Sequence, residues 1–296
     1  MIRSLSRIVY SSAALCALAG AANAQEAFSS RYYELETKYI FGFTAGTDIG
    51  AEGEKELESE TTGGFGKRGG SYRSIEQEFE FEHVPSQYWG YELSIHGLSQ
   101  QINGVAGLDD LHRGDFAGLS FKPKWLIIGR GPGNPIGLSL SVQPEWGRSV
   151  GANGVHANSF SLTTRLAADT ELIPNMLYAA ANLIYEPEVE RAPGDPSWSR
   201  ASGFGATAAM AYRVTPQVTL GGEVEYYRSY EGFGFNALEG AAFYVGPTLH
   251  VQFTPKIFLA AAWSFQVAGR AQGETGNLDL TNFERQYANL KVGFEF

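Results

Sequence analysis

Cysteine, sulfur and long apolar runs are scarce in this chain. Its one cysteine, Cys16, lies near the amino terminus, inside a segment that reads as a secretion signal. The chain that remains has no thiol, so neither a disulfide framework nor a cysteine metal site can form. Leu15 stands where a lipidation signal places a small residue, which argues against a lipid anchor on Cys16. Residues 8–18 are mostly apolar but too few to cross a bilayer, which takes about 20 residues as a helix, and no later segment reads as a transmembrane helix. Positive charge is also short. Removing Arg3 and Arg7 with the leader leaves 20 basic residues against 32 acidic ones, a formal charge of −12. That disfavours a nucleic-acid partner, whose affinity rests on basic contacts to phosphate.

The leader has a positive start (Arg3, Arg7), an apolar middle and Ala22-Asn23-Ala24 as a small-residue cleavage site. The expected division is therefore a signal peptide over 1–24 and a mature domain over 25–296. What the mature part has in quantity is tyrosine, phenylalanine and glycine, arranged with a period of two. Leu290, Val292, Phe294 and Phe296 alternate with Asn289, Lys291, Gly293 and Glu295. Such strands escape a hydropathy scan because only every second residue meets lipid.

Twelve strand-like segments are expected, at 32–47, 71–83, 88–100, 116–128, 136–148, 159–171, 177–189, 202–214, 218–230, 241–253, 257–271 and 283–296. Each is long enough for a tilted crossing of about 9–11 residues. Five proline-bearing turns, such as Thr215-Pro216-Gln217 and Thr254-Pro255-Lys256, alternate with six longer polar loops, the first over 48–70. The fold class is thus all-β, a closed antiparallel transmembrane barrel with short periplasmic turns and long external loops. A miscount by one hairpin would give ten or fourteen strands.

The inward phase is polar. It collects Glu34, Glu36 and Lys38 from the first expected strand, then a stripe of Glu76, Glu78, Glu80 and Glu82, followed by Glu92 and His96, Lys122 and Lys124. Arg165, Arg213, Glu223, Glu225, His250 and Lys291 complete the expected lumen lining. The stripe reads either as an acidic, cation-favouring lining or as carboxylates paired with Lys38, Lys122, Lys124 and Lys291. A twelve-stranded barrel is narrow, and its side chains nearly fill it. Catalysis by a hydroxyl needs a base within reach. The nearest candidates, Ser94 and His96, fall on the lumen face, so no catalytic residue, metal or cofactor is expected.

The terminal alternation with its closing Phe296 resembles the last strand of Gram-negative outer-membrane β-barrel proteins. The resemblance covers the whole mature chain. It implies residence in the outer membrane among lipid and lipopolysaccharide, and assembly by the barrel-assembly machinery reading Leu290, Val292, Phe294 and Phe296. The chain's size and its two Thr-Pro turns also look similar to small-molecule transport barrels associated with phenol-degradation pathways, which implies passage of small apolar compounds. The functional expectation is a narrow passive channel for small solutes with a mixed-charge, locally acidic lumen. A plugged structural or surface-interaction barrel is the alternative, and a lipid-acting barrel enzyme the third reading.

Overall fold

The computed structural model describes residues 35–131, 133–149 and 156–296. The expected signal peptide, its cleavage site and Glu34 lie outside the described residues. Twelve antiparallel strands run in chain order and close on themselves, β1 pairing with β12. They are β1 (Lys55–Phe65), β2 (Ser71–Ser86), β3 (Trp89–Asn103), β4 (Leu111–Ile128), β5 (Ile136–Ser149), β6 (His156–Ile173), β7 (Leu177–Arg191), β8 (Ser199–Arg213), β9 (Val218–Glu231), β10 (Leu238–Thr254), β11 (Ile257–Ala271) and β12 (Gln286–Glu295). Closure leaves no edge strand with unpaired backbone groups.

The outward phase of nearly every strand is apolar and exposed. It includes Leu57, Phe79, Ile95, Ile127, Phe160, Leu183, Met210, Leu220, Phe265 and Leu290. The inward phase carries the buried polar set, among them Glu58, Glu80, Glu92, Asp169, Asn182, Thr207 and Glu225. This is the inverse of a water-soluble domain, whose strands bury their apolar phase. Connections at 87–88, 129–135, 174–176, 214–217 and 255–256 lie at one mouth, together with both ends of the barrel chain. Those at 66–70, 104–110, 192–198, 232–237 and 272–285 lie at the other, as do the facing ends of β5 and β6.

The first expected strand is corrected. Residues 35–54 do not enter the sheet; they run inside the barrel with a single 3₁₀ turn at Thr37–Tyr39. The strand that takes their place, β1, comes from the middle of the expected 48–70 loop. Two physical reasons account for the exchange. Gly42, Gly50 and Gly53 adopt positive φ, which breaks an extended run. The outward phase of β1, Leu57-x-Ser59-x-Thr61-x-Gly63, is nearly without apolar bulk, so its inward glutamates read as a solvated loop.

Tyr39, Phe41 and Phe43, expected outward, belong to this inner segment. Ile40 and Phe41 are fully buried against Tyr178, Ala180, Ala209 and Ala211. Alanines on the inward phase of β7 and β8 leave room for them. Burying one such side chain stabilises by about 1.5–3 kcal/mol.

Candidate functional site

The site is the lumen and the segment that fills part of it. Residues 35–54 enter from the mouth that holds the chain ends, reach mid-barrel at Phe43–Ala45, and return to the same mouth. The base of this inner loop is closed by the Thr37 N–H and hydroxyl, which donate to Asp48 Oδ2 at 2.7 and 2.9 Å.

Wall side chains then take up the backbone groups of the tip. Phe43 N–H and Thr44 N–H donate to the two oxygens of Glu223 at 3.1 and 2.9 Å. Ala45 exchanges two hydrogen bonds with the Asn182 amide, both 2.8 Å. Arg165 donates to Phe43 O at 2.9 Å, and Lys124 to Asp48 O at 2.6 Å and Gly46 O at 3.2 Å. Thr47 gives its N–H and hydroxyl to Asp169 at 2.9 and 2.7 Å. Asp169 and Asp48 are both held by Arg130 of the 129–135 turn. Irregular backbone inside a barrel must be satisfied in this way because no strand neighbours it.

Space at the tip is set by glycine. A Cβ on Gly42, whose φ is +78°, would lie 2.5 Å from Glu223 Oε1 and 2.7 Å from Ala262 Cβ. One on Gly46 would lie 2.2 Å from the Thr37 carbonyl oxygen.

Lys38 projects from the inner segment into the glutamates of β1 and β2. Its ammonium is 3.1 Å from Glu56 and 4.0 Å from Glu58, and it pairs closely with Glu82. It was expected to reach the stripe from a neighbouring strand and reaches it instead from the plug. Lys291 on β12 bridges Glu58 at 2.6 Å and Glu60 at 2.9 Å across the closing seam. Lys122 on β4 pairs with Glu92 and lies 3.6 Å from Glu80. Two carboxylate trios, Glu56-Glu58-Glu82 and Glu80-Glu82-Glu92, have oxygens close enough to share a cation. The Lys38 and Lys122 ammoniums already occupy those positions.

His96 is buried and bonded on both sides, its Nδ1 3.0 Å from Glu76 and its Nε2 3.0 Å from Ser120 Oγ. The order carboxylate, imidazole, hydroxyl is that of a nucleophilic triad. Yet Ser120 sits in mid-strand with ladder partners on both sides, Ser94 and Glu145. The Gln143 amide also donates to the hydroxyl, at 3.2 Å. Ser94, the hydroxyl expected beside His96, bonds to Glu80 instead.

Arg213 and His250 lie buried at the mouth where the chain ends meet, Arg213 bonding Pro216 O and His250 stacking on Phe258. Glu225 accepts from Tyr227 at 2.8 Å. Glu78 is half-buried above the plug. Sequence reasoning missed Asp48, Glu56, Glu58 and Glu60 because they were placed in a loop. It also left out Asn182, Glu186 and Glu188, although the inward phase of β7 would have found them.

Cavities lie along the lumen among the described residues. One of about 200 Å³ lies against the plug tip and is lined by Lys38, Lys122, Lys124, Arg165 and Lys291 opposite Glu60 and Glu92. One of about 140 Å³ at the mouth below it is lined by Glu36, Glu54, Arg213, His250 and Lys256. A wider recess at the opposite mouth, about 390 Å³, is lined by Glu186, Glu188, Tyr227 and Tyr287.

Three plug carboxyls, Glu36, Asp48 and Glu54, titrate away from their ordinary range, burial raising Glu54. Burial, helped by the Glu54, Asp48 and Glu82 charges and opposed by Lys38, pushes Glu36 up from 4.5 to about 8. Burial also pushes Asp48 upward, but Arg130 and the Thr37 bonds outweigh it and hold Asp48 below its usual value. The Glu36 contribution to docking is full below about pH 4.5, declines as Glu36 ionises in the free segment, and is gone above about pH 8. The Asp48 contribution is present above its free value of 3.8 and lost as pH falls through its lowered docked value. Protease access to residues 35–54 in the folded barrel should accordingly rise between pH 5.5 and pH 9. Glu36→Gln should flatten that rise, and an unchanged profile would remove Glu36 from the latch.

A family model described as a family of unknown function (DUF6662) matches residues 34–296. No curated protein matches the chain. Among solved structures the fold is similar to the COG4313 outer membrane channel from Pseudomonas putida F1, with 13% identity and a TM-score of 0.56 over 84% of this chain and 98% of that one. It is also similar to the KdgM porin in complex with disordered oligogalacturonate, with 12% identity and a TM-score of 0.47 over 82% and 99% of the two chains. The NanC porin matches with 12% identity and a TM-score of 0.46 over 80% and 98%. At these identities the likeness concerns the fold.

Proposed function

The chain belongs to DUF6662, a family of unknown function, and from its lumen we propose that it is a Gram-negative outer-membrane channel for small solutes, controlled by residues 35–54. The outward apolar phase supports a lipid setting, as does a closed ladder with no free edge. In this reading the short turns face the periplasm and the long loops the exterior. The exposed Leu290, Val292, Phe294 and Phe296 serve as the assembly signal.

One observation carries the control by the inner segment. The β1–β12 ladder is complete without it, and side chains alone hold its tip. It can therefore leave without opening the wall. A packed structural core would instead share apolar contacts along the full lumen, yet the described lumen is charged and holds cavities. No catalytic step is assigned to the Glu76–His96–Ser120 chain, whose hydroxyl lies in mid-strand between Ser94 and Glu145.

Selectivity in this reading is split by height. The lower part of the glutamate stripe is neutralised, Glu80 by Lys122 and Glu82 by Lys38. Glu78, Glu186 and Glu188 remain toward the outer mouth with no ion pair among the described residues, and they favour cations there. Refolded mature protein in a planar bilayer under a salt gradient should show a small cation-selective conductance. Glu78→Gln with Glu186→Gln should move the reversal potential toward zero. An unmoved potential would sink the acidic outer lining, and a correctly folded barrel that never conducts, with or without its plug, would leave the structural barrel as the reading.

A further inference from the structure

Six arginines stand apart from the rest of the charge. Arg73 on β2, Arg148 on β5, Arg191 on β7, Arg200 on β8, Arg228 on β9 and Arg270 on β11 are all exposed. All lie near the loop-bearing ends of their strands, on the outward phase. The pairings show the phase directly: Arg228 lies opposite Phe204, Arg200 opposite Val189, and Arg73 opposite Phe65. Strand carboxylates at that height, Glu76, Asp115, Glu188 and Glu190, fall on the inward phase. None of the six arginines makes an ion pair with a described residue, whereas Lys38, Lys122 and Lys291 inside the barrel are all salt-bridged. A chain with a formal charge of −10 thus wears a positive collar at one mouth.

On β7, β8 and β9 the collar is braced by aromatic rings. The Arg191 guanidinium lies 4.6 Å from the Trp198 ring centre, Arg200 lies 5.6 Å from Phe233, and Arg228 lies 5.2 Å from Tyr226. The 232–237 connection bends outward to make this shelf: Tyr185 donates to Phe233 O at 2.6 Å, and Phe235 packs edge-on against Tyr185 and Phe204. A guanidinium stacked on a ring is held in plane, the arrangement suited to gripping phosphate. Arg228 is further oriented by donating Nε and Nη1 to the Tyr226 and Tyr230 hydroxyls at 2.6 and 3.3 Å, which leaves Nη2 to a phosphate. Below it, on the same three strands, Leu183, Met210, Leu220 and Val224 form an exposed apolar wall.

We infer that the β7–β9 collar is a docking site for an outer-leaflet glycolipid whose headgroup carries more than one phosphate, the anionic core of lipopolysaccharide. Phosphates lie on Arg191, Arg200 and Arg228, and acyl chains lie along the apolar wall beneath. Charge complementarity selects this occupant. A neutral lipid would leave three unpaired guanidinium groups at the interface, and a second copy of this chain would bring like charge against like. The site rests on the membrane placement proposed above.

The test uses the full mature barrel in vesicles of zwitterionic phospholipid. The vesicles are doped either with bisphosphorylated lipid A or with the same lipid stripped of phosphate, and lipid retained per barrel is measured by mass spectrometry. Wild type should retain the phosphorylated form in preference. Arg191→Ala with Arg200→Ala and Arg228→Ala should reduce that preference by roughly a hundredfold, as three cations near an anionic surface contribute, and the matching lysine variant should keep part of it. Equal retention of the two lipids by wild type overturns the site. Should the alanine variant lose its heat-modifiable gel migration, the wild-type lipid comparison decides alone. A barrel that fails to float with vesicles would overturn the membrane placement and the site together, whereas one that floats without discriminating overturns only the site.

Discussion

A mature chain lacking residues 25–50 should insert as a barrel and hold a steady open level far above the conductance of the intact chain. The segment contributes no rung to the sheet, so its loss leaves all twelve strand pairings in place. What it removes is the obstruction at mid-barrel, where Phe43, Thr44 and Ala45 are held by Glu223 of β9 and Asn182 of β7, on either side of β8.

A point change should approach the same result. Gly42→Val puts a branched side chain at φ +78° and within 2.5–2.9 Å of Glu223, Ala262 and Thr248. A left-handed backbone alone costs a non-glycine residue about 1–2 kcal/mol. Since about 1.4 kcal/mol is a tenfold shift, the docked-to-released ratio should drop by about tenfold or more once the clash is added. Single-channel recordings would show this as longer open dwell times in the variant. If deletion leaves conductance at the intact level, residues 35–54 are not the barrier and the charged cavity above them is.

Lys291→Met should destabilise the barrel itself rather than its plug. Lys291 joins Glu58 and Glu60 across the seam where the last strand meets the first. The side chain of Glu58 is fully buried. Removing one partner of a buried pair leaves an uncompensated charge and costs about 3–5 kcal/mol. At a urea dependence of about 2–3 kcal/mol per molar, the unfolding midpoint should fall by more than about 1 M. Adding Glu58→Gln should recover part of the loss, because the stranded charge is then gone. A midpoint that does not move in Lys291→Met would mean that Lys38 alone neutralises the seam.

Much of this architecture was legible because lipid imposes a strict rule on outward positions. Phe79, Trp125, Leu183 and Phe265 follow the period of two, and prolines at 174, 216 and 255 mark the tight turns. The failure at the start of the chain has the same origin. Tyr33, Leu35, Tyr39, Phe41 and Phe43 carry more of the outward signature than β1 does, because β1 presents serine, threonine and glycine where its neighbours present bulk. A segment that packs apolar groups on the alanines of β7 and β8 uses the same residue types as one that faces lipid. Single-strand periodicity cannot separate the two. The charge partners of the glutamate stripe were named from composition, but which lysine meets which glutamate depends on register and on a plug that carries Lys38 inside.

The inner loop leaves by the mouth through which it enters, and that geometry has a mechanical consequence. A load applied at its amino-terminal end would meet the Thr37–Asp48 clasp first, then the contacts of Ile40 and Phe41, then those of Phe43 and Thr44. The fastenings lie in series along the direction of pull, so they yield one after another, as a zipper does, and at no moment does the force have to break them together. The strands of the wall, bonded side by side through many rungs, share any load in parallel. The same molecule is therefore weak to a tug on its leading end and strong everywhere else.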